Sequence, residues 1–407
     1  MRKTVNCGVL VVGAGHAGAA LAAALRRRGY AGSILLASDE PHLPYERPPL
    51  SKASLLDAEP SSRLLQPEAF WTDPGIELAL GCRVERIAIA RHGAVLSDGR
   101  SIRYEWCVLA TGARARQLTC PGATLDGTHV LRTLADAQRL RQALGSARNV
   151  VVIGAGYVGL EVAASARSMG KTVSVVEAQP RVLSRVTSPP VSEFFEAVHR
   201  RNGVALHLGK GVSALEGERR VRAVTLTDGT RLPADVVVVG IGIEAETALA
   251  EQAGIACHGG VLVDSHFRTS APGVLAIGDC SRHPNDFAGG MWRLESVQHA
   301  QDSASGAALT ILGQAQAYQD VPTFWSEQYD LRMQSAGIAK DADDMVIRGD
   351  IRQGPFSVVY LREGRMIAID AVNNAREFMA ARKLIHCRTT IDRAMVNDSS
   401  VSLKAFA

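Results

Sequence analysis

The 407-residue chain has no pair of cysteines at redox or metal-ligand spacing. Its seven cysteines (Cys7, Cys82, Cys107, Cys120, Cys257, Cys280 and Cys387) are scattered and odd in number, with no C-x-x-C among them. They read as reduced, mostly buried thiols of a cytosolic protein rather than a disulfide framework, and no metal site is expected. Long apolar runs are also missing. No uninterrupted stretch approaches the ~20 residues needed to span a bilayer, so no membrane segment is expected. The run 21–25 is apolar, but a Gly-rich turn before it and Arg26, Arg27 and Arg28 after it fit a helix better than a signal region. With only Met1 to Asn6 ahead of the first apolar strand, no signal peptide is expected, and the expected location is cytoplasmic. Nor is there a large charge excess. A formal net charge of +4 tolerates an acidic protein partner but is too small to argue for nucleic acid. The balance of 46% hydrophobic and 21% charged residues excludes disordered and collagen-like chains. The length calls for two or three domains.

What the sequence does hold is a coarse duplication. Residues 8–18 read GVLVVGAGHAG and residues 149–159 read NVVVIGAGYVG. Each is a β-branched apolar run, a Gly-rich turn, an alanine-rich helical stretch and a second strand. The spacing predicts helix 17–28 and strand 33–37 after the first turn, and helix 158–168 and strand 172–176 after the second. This is the β-α-β pattern of a parallel sheet. Further strands are predicted at 106–110, 236–241 and 274–277, and the carboxyl ends of such strands are where open α/β sheets bind ligands. Past Pro322 the pattern changes to two antiparallel strands, 357–361 and 366–372, around the turn Glu363-Gly364, followed by a helix at 374–384. This predicts a smaller α+β domain.

Gly13-Ala14-Gly15-His16-Ala17-Gly18 and Gly154-Ala155-Gly156-Tyr157-Val158-Gly159 are both complete G-x-G-x-x-G turns between a strand and a helix. The first glycine permits the tight turn and the second lets a pyrophosphate approach the backbone. The third lets helix and strand pack closely, and the helix N-terminus supplies N–H donors and a positive dipole end. An acid follows each, Asp39 and Glu177, placed to accept from ribose hydroxyls. One such turn is weak, because Gly-rich turns without a ligand are common; two in one chain are strong. Glu177 repels a 2′-phosphate and favours NAD over NADP. Arg181 and Arg185 stand near it in sequence and could receive that phosphate, which leaves NADP open.

Three further stretches carry a resemblance. Val108-Leu109-Ala110-Thr111-Gly112 resembles the A-T-G junction of flavoproteins that bind two dinucleotides. Residues 269–279, TSAPGVLAIGD, are similar to the T-S-x-P-G-V-x-A-x-G-D segment of that superfamily, whose Asp holds the ribityl chain of the flavin. Residues 41–52, PHLPYERPPLSK, resemble the segment after the first β-α-β unit in oxygenase-coupled ferredoxin reductases. The likeness extends over nearly the whole chain, through Leu131-Arg132-Thr133, residues 185–192, Glu295-Ser296-Val297 and residues 324–328. It implies an α/β fold with two Rossmann-like dinucleotide-binding domains and a C-terminal α+β domain. The FAD-binding domain would be discontinuous (1–112 and 243–318), around an NAD-binding domain (113–242), with the C-terminal domain at 319–407. Matched positions imply FAD contacts at Gly13, Gly15, Ala17, Gly18, Asp39, Arg47, Lys52, Val84, Ala110, Thr111, Gly112, Arg132, Asp279, Glu295, Val297 and Trp325. They imply NAD contacts at Gly154, Gly156, Tyr157, Gly159, Glu177, Arg185 and Gly242. Two departures stand out: Arg116 where the family has proline, and Glu244-Ala245-Glu246 where Pro-Asn often follows Gly242.

The chemistry implied is hydride transfer from NADH to FAD and then single electrons to a small [2Fe–2S] ferredoxin, upstream of a cytochrome P450 or a ring-hydroxylating dioxygenase. A flavin is needed because nicotinamide gives two electrons together while the ferredoxin takes one. The resemblance makes Lys52 and Glu161 a catalytic pair near flavin N5. The alternative readings are a solvated surface lysine for Lys52, a first-turn acid answering its helix dipole for Glu161, and a domain-interface core residue for Trp325. Arg293, Arg332 and Arg348 are candidates to face an acidic ferredoxin. No cysteine lies between Cys7 and Cys82, where thiol-dependent relatives carry theirs, so electrons are expected to leave the flavin without a thiol relay. The alternatives are a related NADH-dependent flavoprotein using rubredoxin, monodehydroascorbate or oxygen, and a redox-sensing flavoprotein resembling apoptosis-inducing factor.

Overall fold

The computed structural model describes residues 4–57 and 63–406. The chain forms two compact units, and each is assembled from separated segments.

The first unit draws on residues 1–46, 62–114 and 244–323. Its centre is a parallel sheet in the order Ile76–Ala79, Ile34–Ala37, Thr4–Val12, Ser101–Leu109, with Val274–Ala276 added beside the end of the last strand. The amino half of Ser101–Leu109 instead carries an antiparallel extension, Gly93–Leu96 and Val84–Ala88. The strand Thr4–Val12 is apolar at consecutive positions, as a strand covered on both faces must be, and Val9, Leu10 and Val11 have no exposed surface. The helix His16–Arg27 packs against Val297–Ile311, and small residues on the first helix (Ala19, Ala22, Ala24) are buried at the contact level of the core.

The second unit draws on residues 47–61, 115–243 and 324–407. A five-stranded parallel sheet runs Ala205–Leu208, Thr172–Glu177, Asn149–Ile153, Val236–Val239, Thr128–Val130. Helix Tyr157–Ser168 follows the second Gly-rich turn. The C-terminal part is an antiparallel sheet in the order Thr323–Gln328, Leu331–Gly337, Arg365–Val372, Phe356–Arg362, Asp344–Gly349, with helix Ala375–His386 against it. The expected hairpin is present: Arg362 pairs with Arg365 around Glu363 (φ 51°) and Gly364 (φ 70°), the left-handed pair that matches strand twist in a two-residue turn. The short segment 47–57 is held here by Leu55, which is fully buried in the same core as Leu160, Val162 and Phe356. Among the described residues no helix is long and apolar enough to cross a membrane.

Candidate functional site

In the first unit the strand Thr4–Val12 ends in Gly13, whose φ is 109° and where a Cβ would stand 2.3 Å from the carbonyl oxygen of Ala110. Only glycine meets both demands, so the Gly-rich turn and the Ala110-Thr111-Gly112 stretch lie against each other. The Gly13 N–H donates to Ala37 O at 2.8 Å, which joins the turn to the strand that leads to Asp39. Helix His16–Arg27 begins on Gly15 with no side-chain cap and no acid in its first turn. Its leading N–H groups and positive dipole end are therefore not answered by the helix's own side chains, as an anion-binding turn requires. Ala17 touches the Gly278-Asp279 turn, since a Cβ on Gly278 would be 2.8 Å from that of Ala17. Arg293 donates to Asp279 O at 3.1 Å and pairs with Glu295, and Val297 opens the helix capped by Ser296. Asp39 lies on the surface 3.9 Å from Arg83, and Val84 is buried at the start of its strand. These donors and small residues suit a dinucleotide pyrophosphate and an adjoining polyol.

The second unit repeats the turn. Gly154 has a φ of 101°, and a Cβ there would stand 2.4 Å from Gly240 O. Gly156 differs. Among the described residues a Cβ on it would meet no atom within 4 Å beyond its own chain neighbours and helix backbone, and its φ of −79° suits any residue. None of these residues requires glycine at 156, whereas a ligand brought close to the backbone does. Glu177 accepts from the N–H of Ala155 at 2.7 Å and of Gln179 at 2.9 Å, so it borders the turn from the end of the next strand. Arg181 is committed elsewhere: its guanidinium donates to Thr187 O, Ser184 O and Ser192 Oγ. Arg185 is exposed and lies beside Gly242, within 4 Å of where its Cβ would be, together with Arg116. Tyr157 stacks on Phe324 with ring centroids 4.3 Å apart. Arg47 donates to Arg132 O at 2.6 Å, bringing those two predicted residues together.

Lys52 and Glu161 form a direct pair, Nζ to Oε2 at 2.8 Å. Lys52 also donates to Pro48 O at 3.2 Å. Glu161 is buried, and it lies beyond the first turn of its helix, so it does not answer the helix dipole. Its carboxylate accepts from Ser51 Oγ at 2.5 Å and Ser326 Oγ at 2.7 Å, and Ser165 Oγ binds Ser51 O at 2.7 Å. Ser51 and Ser326 were not singled out from sequence; a hydroxyl in a matched segment gives no sign of its partner. Trp325 is partly exposed on the strand Thr323–Gln328, on the opposite face from Phe324 and Ser326 by strand alternation.

The remaining expected residues divide. Glu244 and Glu246, at the departure after Gly242, have their charges answered by Arg114 at 3.3 and 3.6 Å. Arg348 does not face a partner. Its side chain is 2% exposed, pairs with Glu377 at 2.7 Å and donates to the carbonyls of Val396, Asp398 and Val401. It fastens the C-terminal segment. Arg332 is exposed and near Glu327. Cys280 is buried, its thiol directed at Leu109 O and Ile277 O, and burial pushes its pKa up.

Comparisons with known proteins agree with this geometry. Residues 8–304 match the family model of pyridine nucleotide-disulphide oxidoreductases, and residues 323–407 match the reductase C-terminal model. A ferredoxin–NAD(P)(+) reductase of a Sphingomonas species is 45% identical over 98% of this chain and 97% of its own. The crystal structure of the ferredoxin reductase for the CYP199A2 system of Rhodopseudomonas palustris matches with a TM-score of 0.95 at 40% identity, covering 100% of both chains. The reductase of the covalent putidaredoxin reductase–putidaredoxin complex matches with a TM-score of 0.94 at 38% identity, over 99% of this chain and 98% of that one. The chain belongs to the pyridine nucleotide-disulphide oxidoreductase family, built as two dinucleotide-binding α/β domains with a reductase C-terminal α+β domain.

Proposed function

We infer that this chain is an NADH:ferredoxin oxidoreductase that holds FAD in the first Gly-rich turn and NADH in the second. It passes electrons singly to a small [2Fe–2S] ferredoxin serving a cytochrome P450 or a ring-hydroxylating dioxygenase, in the cytoplasm. The observation that carries the reading is the repetition of an anion-ready helix N-terminus behind a Gly-rich turn, with open space at Gly156. FAD supplies the conversion of a two-electron donor into one-electron steps. The protein's work is to bind, aim and balance charge. Gly13, Gly15, Gly18 and the Ala110-Thr111-Gly112 stretch would hold the FAD pyrophosphate side, with Asp279 on the polyol. Arg47 and Arg132, already in contact, would bind its anionic groups. Glu177 would take the adenosine ribose hydroxyls of NADH and repel a 2′-phosphate, with Arg181 committed to its own loop.

Lys52 and Glu161 would stand beside the reacting ring. The lysine cation favours negative charge developing there, and Glu161 holds the ammonium in place. The chain would divide into an FAD domain (1–112 and 243–318), an NAD domain (113–242) and a C-terminal domain (319–407). Cys280 is buried, and electrons would leave the flavin without a thiol relay.

The test is direct. The purified protein is expected to be yellow, with one non-covalent FAD per chain, and Asp279→Ala is expected to lose flavin. NADH-dependent ferredoxin reduction at low ferredoxin concentration is expected to slow as salt rises from ~10 mM to ~1 M and the Debye length falls from ~30 to ~3 Å. A colourless protein that cannot take up FAD overturns the reading.

A further inference from the structure

Glu161 is the end of a line of hydrogen bonds that runs well past Lys52. Ser326 Oγ donates to Glu161 Oε1 at 2.7 Å, and Gln328 Nε2 donates to Ser326 Oγ at 3.2 Å. His199 Nε2 meets Gln328 Oε1 at 2.8 Å, and Tyr329 OH meets His199 Nδ1 at 3.2 Å. Ser326, Gln328 and His199 are fully buried, and only Tyr329 reaches the surface. The line joins three elements: helix Tyr157–Ser168, strand Thr323–Gln328 and helix Pro189–Arg201.

The direction of every bond follows from the donor inventory. Gln328 presents its carbonyl oxygen to His199, so His199 Nε2 must carry the proton. Burial holds this imidazole neutral by pushing its pKa down, which leaves Nδ1 bare to accept from Tyr329. Ser326 has one hydrogen; it accepts from Gln328 and so spends that hydrogen on Glu161. All four donors point the same way, and each bond polarises the next toward the carboxylate. Donors aimed at a carboxylate fix its orientation, and here the oxygen left for Lys52. The line is not a path for protons, because the Gln328 amide neither releases nor takes up a proton at ordinary pH. The charged and titratable groups facing Glu161 are Lys52 at 2.8 Å and the Tyr157 phenol, whose ionisation the Glu161 charge opposes; Arg167 acts on Tyr329 at the far end.

We propose that Gln328 and His199 are positioning residues whose one-way chain holds the Glu161 carboxylate aimed at Lys52, and so supports hydride transfer from NADH. This rests on the functional reading above, in which Lys52 and Glu161 stand beside the flavin.

Two measurements test it on the FAD-loaded protein. In the first, 15N NMR of histidine-labelled protein, with His199 assigned by loss of its signal in His199→Gln, is expected to show the neutral, Nε2-protonated tautomer at neutral pH. An Nδ1-protonated or doubly protonated His199 at neutral pH overturns the proposal whatever the enzyme does. In the second, the stopped-flow rate of flavin bleaching by NADH is followed against NADH concentration. Gln328→Leu and His199→Leu are expected to slow bleaching at saturating NADH by ~3–10-fold while the NADH Kd stays near that of the wild type. His199→Gln, which keeps a donor for Gln328 Oε1, is expected to stay near the wild-type rate. Variants that fold, bind FAD and bleach at the wild-type rate overturn the proposal. A wild-type protein that takes no hydride from NADH overturns the functional reading instead, and the tautomer then decides whether the one-way chain exists.

Discussion

Gly156→Ala separates the demands of the fold from those of the ligand. Among the described residues the new methyl meets no atom within 4 Å beyond its own neighbours and helix backbone, and φ at 156 is −79°, open to alanine. Two small terms act on stability. Alanine at a helix N-cap is worse than glycine by up to about 1 kcal/mol. Restricting the unfolded chain returns about 0.4–1 kcal/mol. They cancel to within about 0.5 kcal/mol, so the denaturation midpoint is expected to stay nearly unmoved. Gly154→Ala is the control. There the backbone is left-handed at φ 101° and the methyl would stand 2.4 Å from Gly240 O, against backbone that cannot yield as a flexible side chain would. Strain of that kind costs about 1–3 kcal/mol before the clash is relieved. The two variants part again on binding. If the space over Gly156 is where a pyrophosphate lies, its methyl forces the ligand off the N–H donors, and NADH affinity is expected to fall at least ~10-fold, about 1.4 kcal/mol. The assays are urea denaturation and equilibrium titration with NADH. Wild-type NADH affinity in a stable Gly156→Ala protein refutes the placement. A loss of stability matching that of Gly154→Ala refutes the claim that the fold does not need this glycine.

Three further outcomes are expected. NADH is preferred over NADPH by at least ~30-fold in kcat/KM, about 2 kcal/mol, and Glu177→Ala narrows the gap; equal wild-type efficiencies refute the assignment of Glu177. Burial pushes His283 down to about 4 and holds the stacked His299 well below its ordinary value, so both are neutral when folded. Their contribution is complete above the unfolded pKa of ~6.5 and is lost as pH falls from there toward 4, at about 1.4 kcal/mol per pH unit for each histidine. His283→Phe also removes two buried nitrogens that have no hydrogen-bond partner among the described residues, and acid-denaturation curves are expected to be shallower with neutral-pH stability retained. Cys280→Ser is expected to leave ferredoxin-dependent turnover largely intact; loss of that step, with reduction by NADH preserved, reveals a thiol relay.

Both Gly-rich turns, their flanking strands and helices and the Glu363-Gly364 hairpin were legible because their signals are local: periodicity, turn chemistry and an acid at a strand end. The segment around Lys52 shows the limit. It follows the first β-α-β unit in sequence, yet Leu55 is buried in the second unit's core and Ser51 binds Glu161 and Ser165 there. A single apolar side chain and one hydroxyl decide that, and neither has a period to read. Arg348 failed as a surface candidate for the same reason, since its carbonyl partners come from an irregular tail. The Ser326, Gln328 and His199 line needs side chains far apart in the chain, and nothing in the neighbours of His199 announces it.

The addition of Val274–Ala276 beside Cys107, Val108 and Leu109 has a consequence for how the protein is made. At synthesis rates of ~5–20 residues per second, the Ser101–Leu109 strand leaves the ribosome on the order of ten to thirty seconds before its neighbour. Throughout that interval the central sheet of the first unit has an open, fully apolar edge, while every strand of the intervening parallel sheet emerges and can pair. Nascent chains crowded on one message are therefore exposed to one another at Cys107–Leu109, an edge that a chaperone can cover.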